Sequence, residues 1–155
     1  MKYLIFFTLL GFGHIEKNKM KVDWSHADKL IHFTISAPAD GWVAIGLNNK
    51  QGITGTYLLM GRVKNGVAEV VEHSTLSPGN YKSFKKIGVS DNVLNISGTE
   101  DAAGTRIQFS LPVEIRNKYQ KSLENGKQYY LTIAYSQSDD FQHHSIMRTQ
   151  EKITL

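Results

Sequence analysis

The chain has 155 residues, 41% of them apolar and 21% charged, which fits one folded domain and excludes disorder for its body. The formal net charge is +4, and the basic residues are scattered rather than gathered into the basic stripe with stacking aromatics that a nucleic-acid groove needs. Cysteine is absent, so no disulfide framework, thiolate metal site or cysteine nucleophile is possible.

At the N-terminus Lys2 precedes a run of about ten apolar residues, the proportions of a secretory signal peptide. The run is too short to span a bilayer, which takes about 20 apolar residues. Gly11 and Gly13 occupy the −3 and −1 places of a cleavage after Gly13. Residues 1–13 are therefore expected to be a signal peptide. The mature chain is expected to be extracytoplasmic, secreted or periplasmic, with no membrane span, and to carry one domain over residues 21–155.

The body reads as short strands separated by turn signals, the pattern of an all-β sandwich. Residues 21–24 form a first short strand. Residues 30–37 alternate, with Ile31, Phe33 and Ile35 on one face and Leu30, His32 and Thr34 on the other. Ala39-Asp40-Gly41 turns the chain into a strand over 42–47, which Asn48 to Gly52 ends. A strand over 56–64 leads into Asn65-Gly66, a strong type I′ hairpin signal, and a return strand over 67–73. Residues 74–91 are poor in strand formers and read as a long loop. Strands follow at 93–99 and 105–111. Residues 112–123 read as one turn or a short helix, and further strands span 128–136 and 149–155. The count is about nine to eleven strands, and a β-barrel is the architectural alternative.

No nucleophile elbow and no phosphate-cradling glycine motif occurs, so an enzyme is not expected. Asp139-Asp140 reads as a solvated turn, and Glu72-His73 as an exposed strand end. Neighbouring residues on an extended segment point opposite ways, so His143 and His144 cannot both face one metal ion. A zinc site would need a third ligand from another strand.

Three segments carry a resemblance to a known family. The first is Trp24 and the alternating strand through Ile35, followed by Gly41-Trp42-Val43-Ala44-Ile45-Gly46. The second runs from Gly52-Ile53-Thr54-Gly55 through Met60 to Asn65-Gly66. The third is Phe141-Gln142-His143-His144-Ser145-Ile146-Met147-Arg148. In order and spacing they resemble the DOMON family, immunoglobulin-like antiparallel β-sandwich modules that bind haem or sugar outside the cytoplasm. The resemblance implies a binding module for a b-type haem, held by axial Met and His ligands and exchanging electrons with a redox partner protein. It implies a cofactor-binding set of His144, Met60, Trp42, Tyr57 and Arg148, with His144 and Met60 as the iron ligands. His144 fits the family's His because it lies four residues before Arg148, and His143 takes the place of an aromatic. The family's Met falls on Ile53, which cannot coordinate iron. Met60 stands seven residues on, in a strand, either as a substitute ligand or as a core residue. Met147 is a weaker substitute, and a five-coordinate haem on His144 alone is the further possibility. Without haem, Trp24, Trp42, Tyr57 and Tyr81 would offer an aromatic platform for a small sugar. The third reading is a structural or interaction domain whose pocket is filled by its own side chains.

Overall fold

Period-two alternation assigns most strand residues to one of two faces, and the strands assemble accordingly. A computed structural model describes residues 11–155. In chain order the elements are β1 (Phe12–Lys17), β2 (Met20–Ala27), β3 (Leu30–Ala37), β4 (Val43–Asn48), β5 (Tyr57–Lys64), β6 (Val67–Ser77), β7 (Asn80–Ser83), a 3₁₀ turn (Phe84–Ile87), β8 (Leu94–Asp101), β9 (Gly104–Pro112), β10 (Gln128–Tyr135) and β11 (Met147–Thr154). One sheet has the order β1-β2-β3-β9-β8 and the other β11-β10-β4-β5-β6-β7. Every pairing is antiparallel. Among the described residues the two sheets stay separate and open-edged, so the fold is the expected sandwich and not a barrel.

The main core lies between the sheets. Val22, Ile31, Phe33, Ile35, Ile107, Phe109 and Leu111 come from one sheet, and Val43, Ile45, Leu47, Leu59, Leu131 and Ile133 from the other. Phe33 stacks on Phe109 with ring centres 5.5 Å apart. Asn65 and Gly66 have φ of 52° and 74°, the two positive values of the type I′ turn read from the sequence. Asn18 and Lys19 make a second such turn, with φ of 48° and 67°.

Two sequence readings of the chain path change, and a third narrows to one of its two alternatives. The fold begins at Phe12, before residue 21, because β1 pairs along β2 from Phe12 to Lys17. Gly13 lies under the Trp24 ring, where a Cβ would collide with the indole. A cleavage after Gly13 would thus remove the first two residues of β1. The rest of the signal-peptide reading, residues 1–10, lies outside the described residues. The long loop at 74–91 is largely ordered secondary structure. β6 continues to Ser77, turns at Pro78-Gly79 into β7, and is followed by the 3₁₀ turn, whose Phe84 is fully buried. No helix forms over 112–123. One turn forms there, with Asn117 Oδ1 accepting from the N–H groups of Tyr119 and Gln120. Among the described residues no helix is long and apolar enough to cross a membrane.

Glu72 is a buried carboxylate and not an exposed strand end, because loops close over it. It accepts from the Tyr57 hydroxyl, from Gln120 Nε2 at 3.4 Å, and from the N–H groups of Asn92 and Val93. It thereby ties residues 88–93 and 115–123 to the sandwich. Burial raises its pKa above the usual carboxylate value, only partly offset by these donors. Glu72→Leu should leave four donors without an acceptor, at about 1–3 kcal/mol for each buried one. Glu72→Gln can still accept from Asn92 and Val93 if its amide oxygen faces them, and its NH2 can donate to the Tyr57 hydroxyl oxygen, which leaves only Gln120 without its acceptor. Urea unfolding should therefore show a large loss of stability for the leucine variant and a small change for the glutamine variant.

Candidate cofactor site

The outer face of the six-stranded sheet carries a second, smaller apolar cluster. Trp42, Ala44, Leu58, Met60 and Ala134 are buried there, with Tyr81 and Phe141 packed against them. Strand register explains the arrangement. One row across the sheet reads Arg148, Ala134, Ala44, Met60, and the next reads Gln150, Thr132, Gly46, Leu58. The middle of both rows is small. At Gly46 an added Cβ would lie 2.5 Å from Thr56 Cγ2. The result is a shallow, mostly apolar floor between larger side chains.

Two loops rise at opposite ends of this floor. The loop after β4, residues 49–56, closes one end and brings in Ile53. The loop after β10, residues 136–146, closes the other and brings in His143 and His144. The space between is a cavity of about 160 Å³ bounded by Trp42, Ala44, Leu58, Met60, Ala134, His143, His144 and Arg148. A hollow of about 420 Å³ adjoins it and shares Ile53, Thr132 and Arg148. Together they fall within the roughly 300–1,000 Å³ of small-molecule and cofactor sites.

The loop bearing the histidines is held by a clamp. Arg62 stacks its guanidinium 4.3 Å from the centre of the Phe141 ring. The same group donates to the Asp139 carbonyl at 2.7 Å and is paired with Glu69 at 2.8 Å. The Tyr81 hydroxyl donates to the Phe141 carbonyl. His73 meets both rings edge-on, with centres 5.4 Å from Tyr81 and 6.1 Å from Phe141. Further along, Ser136 Oγ donates to the His144 carbonyl at 3.0 Å, and Ile146 N donates to Tyr135 O at 2.9 Å. Both imidazoles are exposed at the cavity rim, and among the described residues neither makes a side-chain hydrogen bond or ion pair.

Of the five residues singled out in the sequence, His144, Met60, Trp42 and Arg148 border this cavity. Tyr57 does not. It follows Leu59 in facing inward, is 1% exposed in the inter-sheet core, stacks on Phe84 and donates to Glu72. Burial and the neighbouring Glu72 raise its pKa well above the usual phenol value. Leu58, Ala44, Ala134 and Thr132 were not singled out, although strand parity with Met60 places Leu58 beside it on this face. Trp24, Trp42 and Tyr57 are all buried, at 5%, 4% and 1% exposure, so they present no open stacking platform. Among the described residues no group of three His, Asp or Glu side chains gathers to hold a bare metal ion.

Residues 16–136 match the family model of the DOMON domain. The chain belongs to the DOMON family. The match ends at Ser136, before the part of the loop that carries His143 and His144 and before Arg148 on β11. This DOMON domain is similar in structure to the cytochrome b domain of pyranose dehydrogenase from Coprinopsis cinerea. The TM-score is 0.67 at 12% identity, covering 92% of this chain and 81% of that one. It is also similar to the cytochrome domain of Myriococcum thermophilum cellobiose dehydrogenase. There the TM-score is 0.64 at 8% identity, covering 94% and 82% of the two chains. At such identities the likeness is one of fold. No curated protein matches the chain.

His73 gives the clamp a pH signature. It is 4% exposed, and its Nδ1–H donates to the Val71 carbonyl at 3.0 Å. Burial, helped by the Lys86 charge, lowers its pKa from 6.5 to about 4. The unfolded chain takes up a proton at the ordinary value while the folded chain resists until about pH 4. Stability from this group is thus complete above pH 6.5 and is lost as pH falls toward 4, by up to about 3 kcal/mol. Urea unfolding at pH 7 and pH 4.5 should show a smaller difference for His73→Phe than for the wild type.

Proposed function

We propose that this chain is an exported haem-binding DOMON module that exchanges electrons with a partner protein. In this reading a b-type haem occupies the cavity on the outer face of the six-stranded sheet, with His144 as its protein ligand. The observation that carries it is the exposed His144 imidazole, with no other partner among the described residues, at the rim of a shallow apolar floor. When bound, such a haem supplies a one-electron couple close to the surface.

Each part of the cavity has a task under this reading. Ala44 and Ala134 leave room for a broad, flat ring. Leu58, Met60 and Trp42 keep water from its apolar edge. Arg148, exposed at the rim, is placed to pair with a carboxylate that reaches solvent. Met60 also borders the cavity but lies buried within this floor. The DOMON family membership and the cytochrome domains that share the fold support the haem reading. Sugar binding has less support, because three of the four aromatic rings considered for stacking are buried. Export is supported by the character of residues 1–13.

Haemin titrations followed by absorbance test the ligand. His144→Ala should weaken haemin retention by about a hundredfold, roughly 3 kcal/mol, while His143→Ala keeps most of it. Full retention in both variants would exclude His144 as the ligand. Ala134→Leu, which adds bulk to the floor, should lower haemin affinity while leaving the urea midpoint nearly unchanged.

A further inference from the structure

The two ends of the cavity are chemically unequal. Among the described residues, the side chains at its border with a lone pair suited to haem iron are His143, His144, Met60 and Tyr81. Tyr81 is spoken for, because its hydroxyl donates to the Phe141 carbonyl and burial raises its pKa, which keeps it a neutral phenol. The histidines are consecutive residues on one loop, at one end of the floor, so they cannot supply ligands from opposite sides of a single ring. The other end is Ile53, with Gly52 and Pro78 beside it. None of these three side chains can coordinate a metal.

Nor is that end free to rearrange. Asn48 Nδ2 donates to the carbonyls of Gly52 and Thr54 at 3.1 and 3.0 Å. Gln150 grips the same turn from β11, accepting from Gly52 N at 2.9 Å and donating to Gly52 O at 3.1 Å. A further bond from Gln150 Nε2 to Thr132 Oγ1 at 3.0 Å leaves its amide committed. Met60 is equally fixed. It is 2% exposed and packed among Trp42, Ala44, Leu58 and Ala134, so reaching a ligand above the floor would break that cluster.

We infer that Ile53 leaves one side of the bound cofactor without a protein ligand, so that a small neutral molecule such as carbon monoxide or nitric oxide can bind there. This rests on the haem reading above. It makes the module a binder of small diatomic ligands as well as an electron carrier. The Ile53 wall is apolar and the local amides are already paired, while Arg148 in the same hollow is taken up by the cofactor's carboxylate in the reading above.

The test uses the full chain loaded with haemin and reduced with dithionite, then titrated with carbon monoxide. The expected reduced spectrum is high-spin, without resolved α and β bands, and carbon monoxide should convert it at one equivalent per haem. Ile53→Met places a thioether at the empty end. It should give a low-spin reduced spectrum and lower the carbon monoxide affinity by about tenfold or more, because an internal ligand must first be displaced. A wild-type spectrum already low-spin, with no response to carbon monoxide, would overturn the inference. If Met60→Leu then turned that spectrum high-spin, the second ligand would be Met60. Absence of any haemin uptake by the wild type is a separate outcome and would remove the haem reading itself, and with it this inference.

Discussion

Strand β4 is buried on both faces, and the outer half of the molecule follows from that constraint. All six of its residues, Val43–Asn48, are buried, although an antiparallel sheet of a sandwich usually leaves one face to water. Val43, Ile45 and Leu47 fill the space between the sheets. Ala44 and Gly46 face the other way and are too small to cover their own strand. Something else must cover them. The chain supplies Trp42, Leu58 and Met60 beside them, and brings the loop after β10 back over the sheet. What that cover does not fill is the cavity.

The two loops that bound the cavity are held by different means. The loop bearing His143 and His144 depends on a cation over an aromatic ring, Arg62 on Phe141, backed by Glu69 and by Tyr81. The loop bearing Ile53 depends on two side-chain amides, Asn48 and Gln150, bonded to its backbone. A binding site on loops is only as well defined as the groups that fix them. Here one loop places exposed imidazoles at the rim, and the other places an aliphatic wall. The chemistry of the site comes from this asymmetry between the loops.

Much of the architecture was legible in the sequence because burial on one face leaves a period of two. The strand at Leu30–Ala37 falls where its alternation put it, and Asn65-Gly66 turns as its residue types require. β1 was hidden because Phe12 and Gly13 continue the apolar N-terminal run without a break. The β6–β7 hairpin was hidden because Thr75, Leu76 and Ser77 carry no strong strand signal. Around the cavity, His144, Met60, Trp42 and Arg148 come together although up to 106 positions separate them, as the motif order suggested. Tyr57 is the member of the implied binding set that lies elsewhere, because its parity with Leu59 turns it into the inter-sheet core. The clamp was not legible at all. Arg62, His73, Tyr81 and Phe141 meet only through the pairing of β5, β6 and β7 and the fold-back of a loop, and no local pattern encodes that meeting.

Hydrogen exchange with and without haemin tests the location of the site most directly. Backbone amides of residues 52–60 and 132–148 should gain protection at one equivalent of haemin, while β1, β8 and the rest of the five-stranded sheet stay unchanged. Protection centred on the five-stranded sheet, or haemin binding with no change around 132–148, would place the site elsewhere and contradict the account.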